Sequence, residues 1–75
     1  MNQRSTKIVQ LLSREKDEIT VAGFAEYFDV SQKTIRNDLK DINDILEKNQ
    51  KAQIVIKRGG VIIAPDNFKD SLPLL

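Results

Sequence analysis

The stretch that decides the fold is Thr20-Val-Ala-Gly-Phe-Ala-Glu-Tyr-Phe-Asp-Val-Ser-Gln-Lys-Thr-Ile-Arg-Asn-Asp-Leu39. It predicts a short helix, a tight turn at Asp29-Val30 and a second helix that opens at Ser31. Two helices joined by so short a turn are held at a steep angle, and this geometry lets the second helix project into the DNA major groove. The stretch therefore predicts a helix-turn-helix that binds DNA.

The second helix of this pair is predicted over about residues 32–48, and its two faces differ in chemistry. Its apolar residues fall within one narrow arc at ~100° per residue: Ile35, Leu39, Ile42 and Leu46. Its outward arc is first basic and then acidic: Lys33, Arg36, Asn37 and Lys40, then Asp41, Asp44 and Glu47. An anionic groove would accept the first half and repel the second, so the N-terminal turns are expected to face DNA.

The candidate DNA-binding residues lie on this basic half and at the tip of a predicted wing: Ser31, Gln32, Lys33, Thr34, Arg36, Asn37, Lys40, Lys57 and Arg58. Arg36 and Asn37 are candidates to read guanine and adenine through paired hydrogen bonds. Ser31 is placed to cap the helix and to direct backbone N–H groups toward a phosphate. The alternative for Arg36 and Asn37 is a solvated surface side chain, which for Arg36 pairs with Asp29 or Asp41. The alternative for Ser31 is capping alone.

The expected contact of each other candidate follows from its position on the surface. Gln32 and Lys33 begin the helix where helix-turn-helix proteins touch base edges. Thr34 is turned toward a flank, so it and Lys40 are expected to meet phosphate or to be plain surface. The two wing-tip cations would reach the minor groove or adjacent phosphates, with a solvated hairpin tip as the alternative. Asp38 lies off the basic face and is expected to pair with a cation of the first helix or the wing.

Two more helices precede this one. Apolar residues at helical spacing predict a first helix over about residues 4–14, with Asn2 or Ser5 as its cap. The next helix is predicted over about residues 21–28, with Thr20 as its cap after a short extended piece at residues 19–21.

Residues 53–64 contain two β-branched runs divided by Gly59-Gly60, which predicts a hairpin. The hairpin must pack on the helices, because a lone hairpin is marginal in water. Its inward residues are expected to be Ile54 and Ile56, with partners among Val61 and Ile63. The predicted fold class is therefore mainly α with a small β-hairpin, a winged helix-turn-helix made of a three-helix bundle and a two-stranded wing.

The amino-acid composition limits the classes of function that the chain can have. The chain of 75 residues has no cysteine and no histidine, which removes thiolate ligands and the commonest metal ligand and general base. We therefore expect no enzyme, no catalytic residue, no metal and no cofactor. Lys and Arg exceed Asp and Glu by 12 to 11, so the net charge of +1 does not itself point to nucleic acid; the distribution does.

The organisation of the chain predicts residues 1–65 as the DNA-binding domain and residues 66–75 as a linker toward a C-terminal domain absent from this chain. Pro65 stops the last strand, and the sequence ends on the apolar Ser71-Leu-Pro-Leu-Leu75. No apolar run approaches the ~18 residues of a membrane span, so no membrane partner is expected. The lack of cysteine and of an export signal fits a cytoplasmic protein.

Val30-Ser-Gln-Lys-Thr-Ile-Arg-Asn-Asp-Leu39 resembles the recognition-helix signature of DeoR-type winged helix-turn-helix domains in bacterial transcription regulators. The continuations Lys40-Asp-Ile-Asn-Asp-Ile-Leu46 and Ile56-Lys-Arg-Gly-Gly-Val61 are similar to the N-terminal domains of regulators that carry phosphotransferase-system regulation domains. Mga-like and general bacterial helix-turn-helix families are similar too. The resemblance covers about residues 4–64. Close DeoR members commonly have a histidine before the glycine pair, where this chain has Arg58.

The resemblance implies sequence-specific binding of double-stranded DNA by a regulator of a carbohydrate or catabolic operon. It also implies a homodimer in the full-length protein, with effector or phosphotransferase partners reached only through C-terminal regions missing here. A winged-helix protein-interaction or dimerisation module without DNA binding is the alternative function. That alternative would favour an apolar outward face on the longest helix, whereas the sequence has a basic one. RNA binding is disfavoured, because duplex RNA hides its major groove from a helix.

Overall fold

A computed structural model describes residues 1–75. The chain forms helix α1 (Gln3–Arg14), strand β1 (Ile19–Thr20), helices α2 (Val21–Phe28) and α3 (Gln32–Lys48), and strands β2 (Val55–Lys57) and β3 (Val61–Ile63). A 3-10 helix over Phe68–Leu74 ends it. This is the predicted winged helix-turn-helix, mainly helical with a small antiparallel sheet. None of the helices combines the length and apolar character needed to cross a membrane.

Each α-helix begins at a side-chain cap. Asn2 Oδ1 accepts the Ser5 N–H at 2.7 Å, and Thr20 Oγ1 accepts the Gly23 N–H at 2.9 Å. At α3 the Ser31 hydroxyl accepts the backbone N–H of Thr34 at 3.1 Å. These bonds satisfy amide groups that the first helical turn leaves without a partner. They confirm the caps predicted for α2 and α3, and they select Asn2 over Ser5 for α1.

The turn between α2 and α3 depends on a left-handed residue. Asp29 has φ 55° and ψ 50°, and the Val30 N–H then reaches back to the Ala25 carbonyl at 3.0 Å. This six-to-one bond closes the C-terminus of α2 and sends the chain directly into the Ser31 cap. Val30 packs half-buried against the core, which fixes the entry of α3.

The core joins all three helices to the sheet. It comprises thirteen buried apolar residues: Ile8, Val9, Leu12, Val21, Phe24, Ala25, Ile35, Leu39, Ile42, Leu46, Ile54, Ile62 and Phe68. The predicted stripe of α3 is almost wholly withdrawn from water, with no member more than 1% exposed. Burial of this stripe on one side of α3 directs the opposite, polar side to solvent.

The sheet differs from the predicted two-stranded wing. It has three strands in the order β1-β3-β2, because β1 pairs with β3 through Ile19↔Ile62 and Thr20↔Val61. In the hairpin, Ile56 lies opposite Ile62, and opposed residues share one face. Ile62 is therefore the buried member of β3, and Ile63 is 41% exposed. The expectation that Val61 and Ile63 are the inward partners was wrong, whereas Ile54 is buried and Ile56 half-buried as predicted.

Part of the segment predicted as a linker packs on the domain. Its 3-10 helix contacts α1 and α3, and Phe68 belongs to the core while Ser71 is also buried. Leu72 and Leu74 are exposed on its outer side. At least the first half of residues 66–75 therefore contributes to the folded unit.

Candidate nucleic-acid interface

The candidate residues of α3 share one solvent-facing surface that runs along the first half of the helix. Six of them are exposed: Ser31, Gln32, Lys33, Arg36, Asn37 and Lys40. Thr34 is half-buried, and its hydroxyl lies 2.9 Å from the Ser31 hydroxyl. Thr34 thus closes the cap with both its backbone N–H and its side chain, which removes it from the centre of the outward surface.

The start of α3 presents free backbone donors. The Ser31 hydroxyl accepts the N–H of Thr34, and the Ser31 carbonyl accepts that of Ile35 at 3.3 Å. The backbone N–H groups of Gln32 and Lys33 come before the first N–H that bonds within the helix. They therefore point outward from the N-terminal end of the helix, which carries a partial positive charge. An anion such as a phosphate is the group that this arrangement accepts.

The cations of this surface carry unneutralised charge. The structure contains one ion pair, which joins Arg4 to Asp38, so Lys33, Arg36 and Lys40 have no acidic partner. In particular, Arg36 pairs with neither Asp29 nor Asp41, the two acids that the sequence offered as alternative ion-pair partners. Unpaired, exposed cations remain available to an anionic ligand, because no internal carboxylate competes for them.

Asp38 is the acid that falls within this basic half, and the fold removes its charge from the surface. Its side chain is 5% exposed and receives Arg4 Nε at 2.5 Å and Arg4 Nη2 at 3.3 Å. Asn2 Nδ2 approaches the same carboxylate at 3.4 Å. Hydrogen bonding to Asp38 raises the pKa of Arg4, because the carboxylate stabilises the charged guanidinium. Asp38 was predicted to pair with a cation of the first helix or of the wing, and the partner is Arg4 of the first helix.

The wing places one cation at the end of β2 and the other in the turn that follows. Lys57 and Arg58 are exposed, and Gly59 and Gly60 follow with φ of 82° and 76°. Two consecutive left-handed residues require glycine, which explains the pair in the sequence. A Cβ on Gly60 would lie 3.6 Å from the Val21 Cβ, so the turn rests against the first residue of α2.

Asn43 connects the wing to α3 and was not among the residues singled out from the sequence. Its Nδ2 donates to the Ile54 carbonyl at 2.9 Å, and its Oδ1 accepts the Ile54 N–H at 2.7 Å. Both bonds go to the backbone of the residue that precedes β2. The only sequence signal is that Asn43 lies between the buried stripe and the outward arc, and several polar helix residues share that position.

A helix-turn-helix with a capped, basic recognition helix and a glycine-turned wing defines a class of DNA-binding domain. The model of the family described as "HTH domain" matches residues 4–62 of the chain. The chain belongs to this family. It is a helix-turn-helix DNA-binding domain and not an enzyme.

Similarity to a curated protein also supports a DNA-binding domain. The chain is 43% identical over 60 residues to the transcriptional regulator ManR of Bacillus subtilis (strain 168), and the match covers 79% of this chain and 9% of that protein. The chain therefore spans about a tenth of the length of the relative it matches. No solved structure matches it significantly.

Proposed function

We propose that this chain is the operator-reading domain of a DeoR-type bacterial transcription regulator, at the N-terminal end of a longer protein that controls a carbohydrate or other catabolic operon. The signature from Val30 to Leu39 supports the subfamily. The likeness to a regulator many times longer than this chain supports a place within a larger protein. Residues 66–75 would then lead from the packed Phe68 toward the following domain.

One observation carries the proposal: the first half of α3 exposes three unpaired cations, while the acid among them is buried against Arg4. In this mechanism Gln32, Lys33, Arg36 and Asn37 contact base edges in the major groove. Phosphates are held by Ser31 with its helix N-terminus, by Thr34 and Lys40 at the flanks, and by Lys57 and Arg58 on the wing. The acidic second half of α3 points away from the duplex.

Dimerisation and signal input belong to the longer protein in this proposal. Helix-turn-helix dimers place two recognition helices in successive major grooves, so one domain supplies half of the contacts. The isolated domain should therefore bind a single half-site weakly. Effector or phosphotransferase partners would act through regions beyond residue 75.

The test is an NMR titration of the domain with a short duplex, first at low and then at moderate salt. Amide shifts concentrated on residues 31–40 and 57–58, weakening as salt rises, would support the mechanism. The variant Lys33→Glu should abolish them, whereas Lys69→Glu, an exposed lysine of the C-terminal 3-10 helix, should retain them. Shifts on another face, or none at low salt, would instead favour a protein-interaction module.

A further inference from the structure

We propose that Asn43 is a positioning residue for DNA binding, which fixes the wing to the recognition helix so that the two act as one reading surface. The inference rests on the proposed function for its DNA readout. Its structural basis is the pair of hydrogen bonds between the Asn43 amide and the backbone of Ile54.

The path of the chain shows why such a tie is needed. The end of α3 is closed by Gln50, with φ 59°, and by a bond of 2.8 Å from the Lys51 N–H to the Leu46 carbonyl. The chain then turns back along the helix through exposed residues 51–53. Ile54 is the first buried residue after this turn. It is hydrogen-bonded to the side-chain amide of Asn43, which precedes it by 11 residues in the sequence. Without the tie, pairing with β3 and side-chain packing would set the start of β2, and neither of them joins β2 directly to the backbone or a polar side chain of α3.

The bonded pair of Asn43 and Ile54 lies close along the chain to both proposed DNA-binding elements, Asn43 to those of α3 and Ile54 to the wing. It follows Lys40 by one turn of α3 and Arg36 by two turns, and Ile54 precedes Lys57 by three residues. A change in the orientation of α3 is therefore passed to the wing through a short, hydrogen-bonded connection. An amide that bonds both backbone groups of one residue fixes direction as well as distance, which a single bond does not.

The alternative is that Asn43 only satisfies two backbone groups and contributes to stability. The two roles differ in whether the effects of mutating Asn43 and a wing cation on DNA affinity are coupled. A merely stabilising residue changes DNA affinity independently of Lys57, whereas a positioning residue makes the contribution of Lys57 depend on it. A double-mutant cycle between positions 43 and 57 separates them.

The experiment measures the salt dependence of binding to a mixed-sequence duplex of about two helical turns. Parent, Asn43→Ala, Lys57→Ala and the double variant are compared. Lys57→Ala should reduce the slope of log K against log salt by about 1. Asn43→Ala should reduce it similarly, and the double variant should show no further loss. Asn49→Ala is the matched control, because Asn49 also donates to a backbone carbonyl, that of Ile45 at 2.8 Å, without touching the wing.

Backbone relaxation of the DNA-free protein gives an independent readout. Asn43→Ala should lower the order parameters of residues 57–61 while those of α3 stay at parent values. If that variant unfolds, Asn43→Asp retains the acceptor for the Ile54 N–H and takes its place in the cycle. Additive effects at positions 43 and 57, or unchanged wing order, would overturn the inference. A parent that binds no duplex would overturn the proposed function, and wing order would still decide the role of Asn43.

Discussion

The Arg4 guanidinium and the Asp38 carboxylate join the first turn of α1 to the basic first half of α3. Two guanidinium nitrogens reach the carboxylate, and Asp38 is almost fully buried while 28% of the Arg4 side chain stays exposed. Asn2 contacts the same carboxylate and caps α1, so one cluster sets the start of one helix and the seating of another. A buried carboxylate needs such partners, because its desolvation is otherwise uncompensated.

We expect Arg4→Gln to destabilise the domain more than Asp38→Asn does. The first variant leaves a buried charge without its cation, and the second leaves an arginine that can turn toward water. The double variant Arg4→Met/Asp38→Leu should recover much of the loss, since it buries no charge. Urea unfolding of the four proteins measures these differences. Equal stability of Arg4→Gln and the parent would show that the pair is dispensable.

The pH dependence of the pair follows from the raised pKa of Arg4. A cation whose pKa rises on folding contributes stability that is complete below its ordinary pKa and is lost only as pH rises through the folded value. The contribution of Arg4 should therefore be constant from neutral pH to well into the alkaline range. Unfolding experiments on the parent and Arg4→Gln should give a stability difference that does not change between neutral and moderately alkaline pH. A difference that shrinks across that range would contradict this assignment.

The sequence predicted the features that depend on local chemistry. The caps at Thr20 and Ser31 and the bounds of α2 and α3 follow from hydroxyl side chains next to apolar residues at helical spacing. The burial of the α3 stripe follows from the same spacing. Asp38 was also placed correctly, because an acid off the outward arc of a basic helix requires a cation inside the fold.

The features that were missed depend on long-range pairing. Val61, Ile62 and Ile63 are all β-branched, so no alternation shows which one faces inward, and the pairing with Ile19 and Ile56 decides it. Phe68 follows a proline and an asparagine in a polar stretch, and its burial becomes visible only when α1 and α3 provide a surface for it. Neither the strand order nor this surface has a local signature.

Asp29→Gly should stabilise the domain by up to about 1 kcal/mol, because a left-handed backbone is costly for a residue with a Cβ. The glycine loses more conformational entropy on folding, which limits the gain. Asp29→Ala is the control, since it removes the same carboxylate and keeps the strained backbone, and it should be neutral or destabilising. Thermal unfolding of the three proteins decides the matter, and a glycine variant no more stable than the alanine one would contradict the argument.

Phe68→Ala should destabilise the domain by about 3 kcal/mol, the usual cost of truncating a buried phenylalanine. Phe68 is 5% exposed and belongs to the core, so the folded unit extends past the boundary at residue 65 expected from the sequence. Leu72→Ala, at a residue 36% exposed in the same 3-10 helix, should change stability by less than about 0.5 kcal/mol. Chemical denaturation compares them, and equal midpoints for Phe68→Ala and the parent would return the boundary to residue 65.

Arg36→Ala should weaken specific DNA binding by about 1–3 kcal/mol and relax the sequence preference at one base pair. The expectation follows from an exposed guanidinium, free of any internal carboxylate, on the outward surface of α3. Selection of binding sites from a random duplex pool, performed with both proteins, reports the preference directly. Arg14→Ala is the control, because Arg14 is an exposed arginine at the end of α1, and it should leave the selected sequence intact. If Arg36→Ala selected the same sequence as the parent at reduced affinity, Arg36 would be a phosphate contact and base reading would fall to its neighbours on the helix.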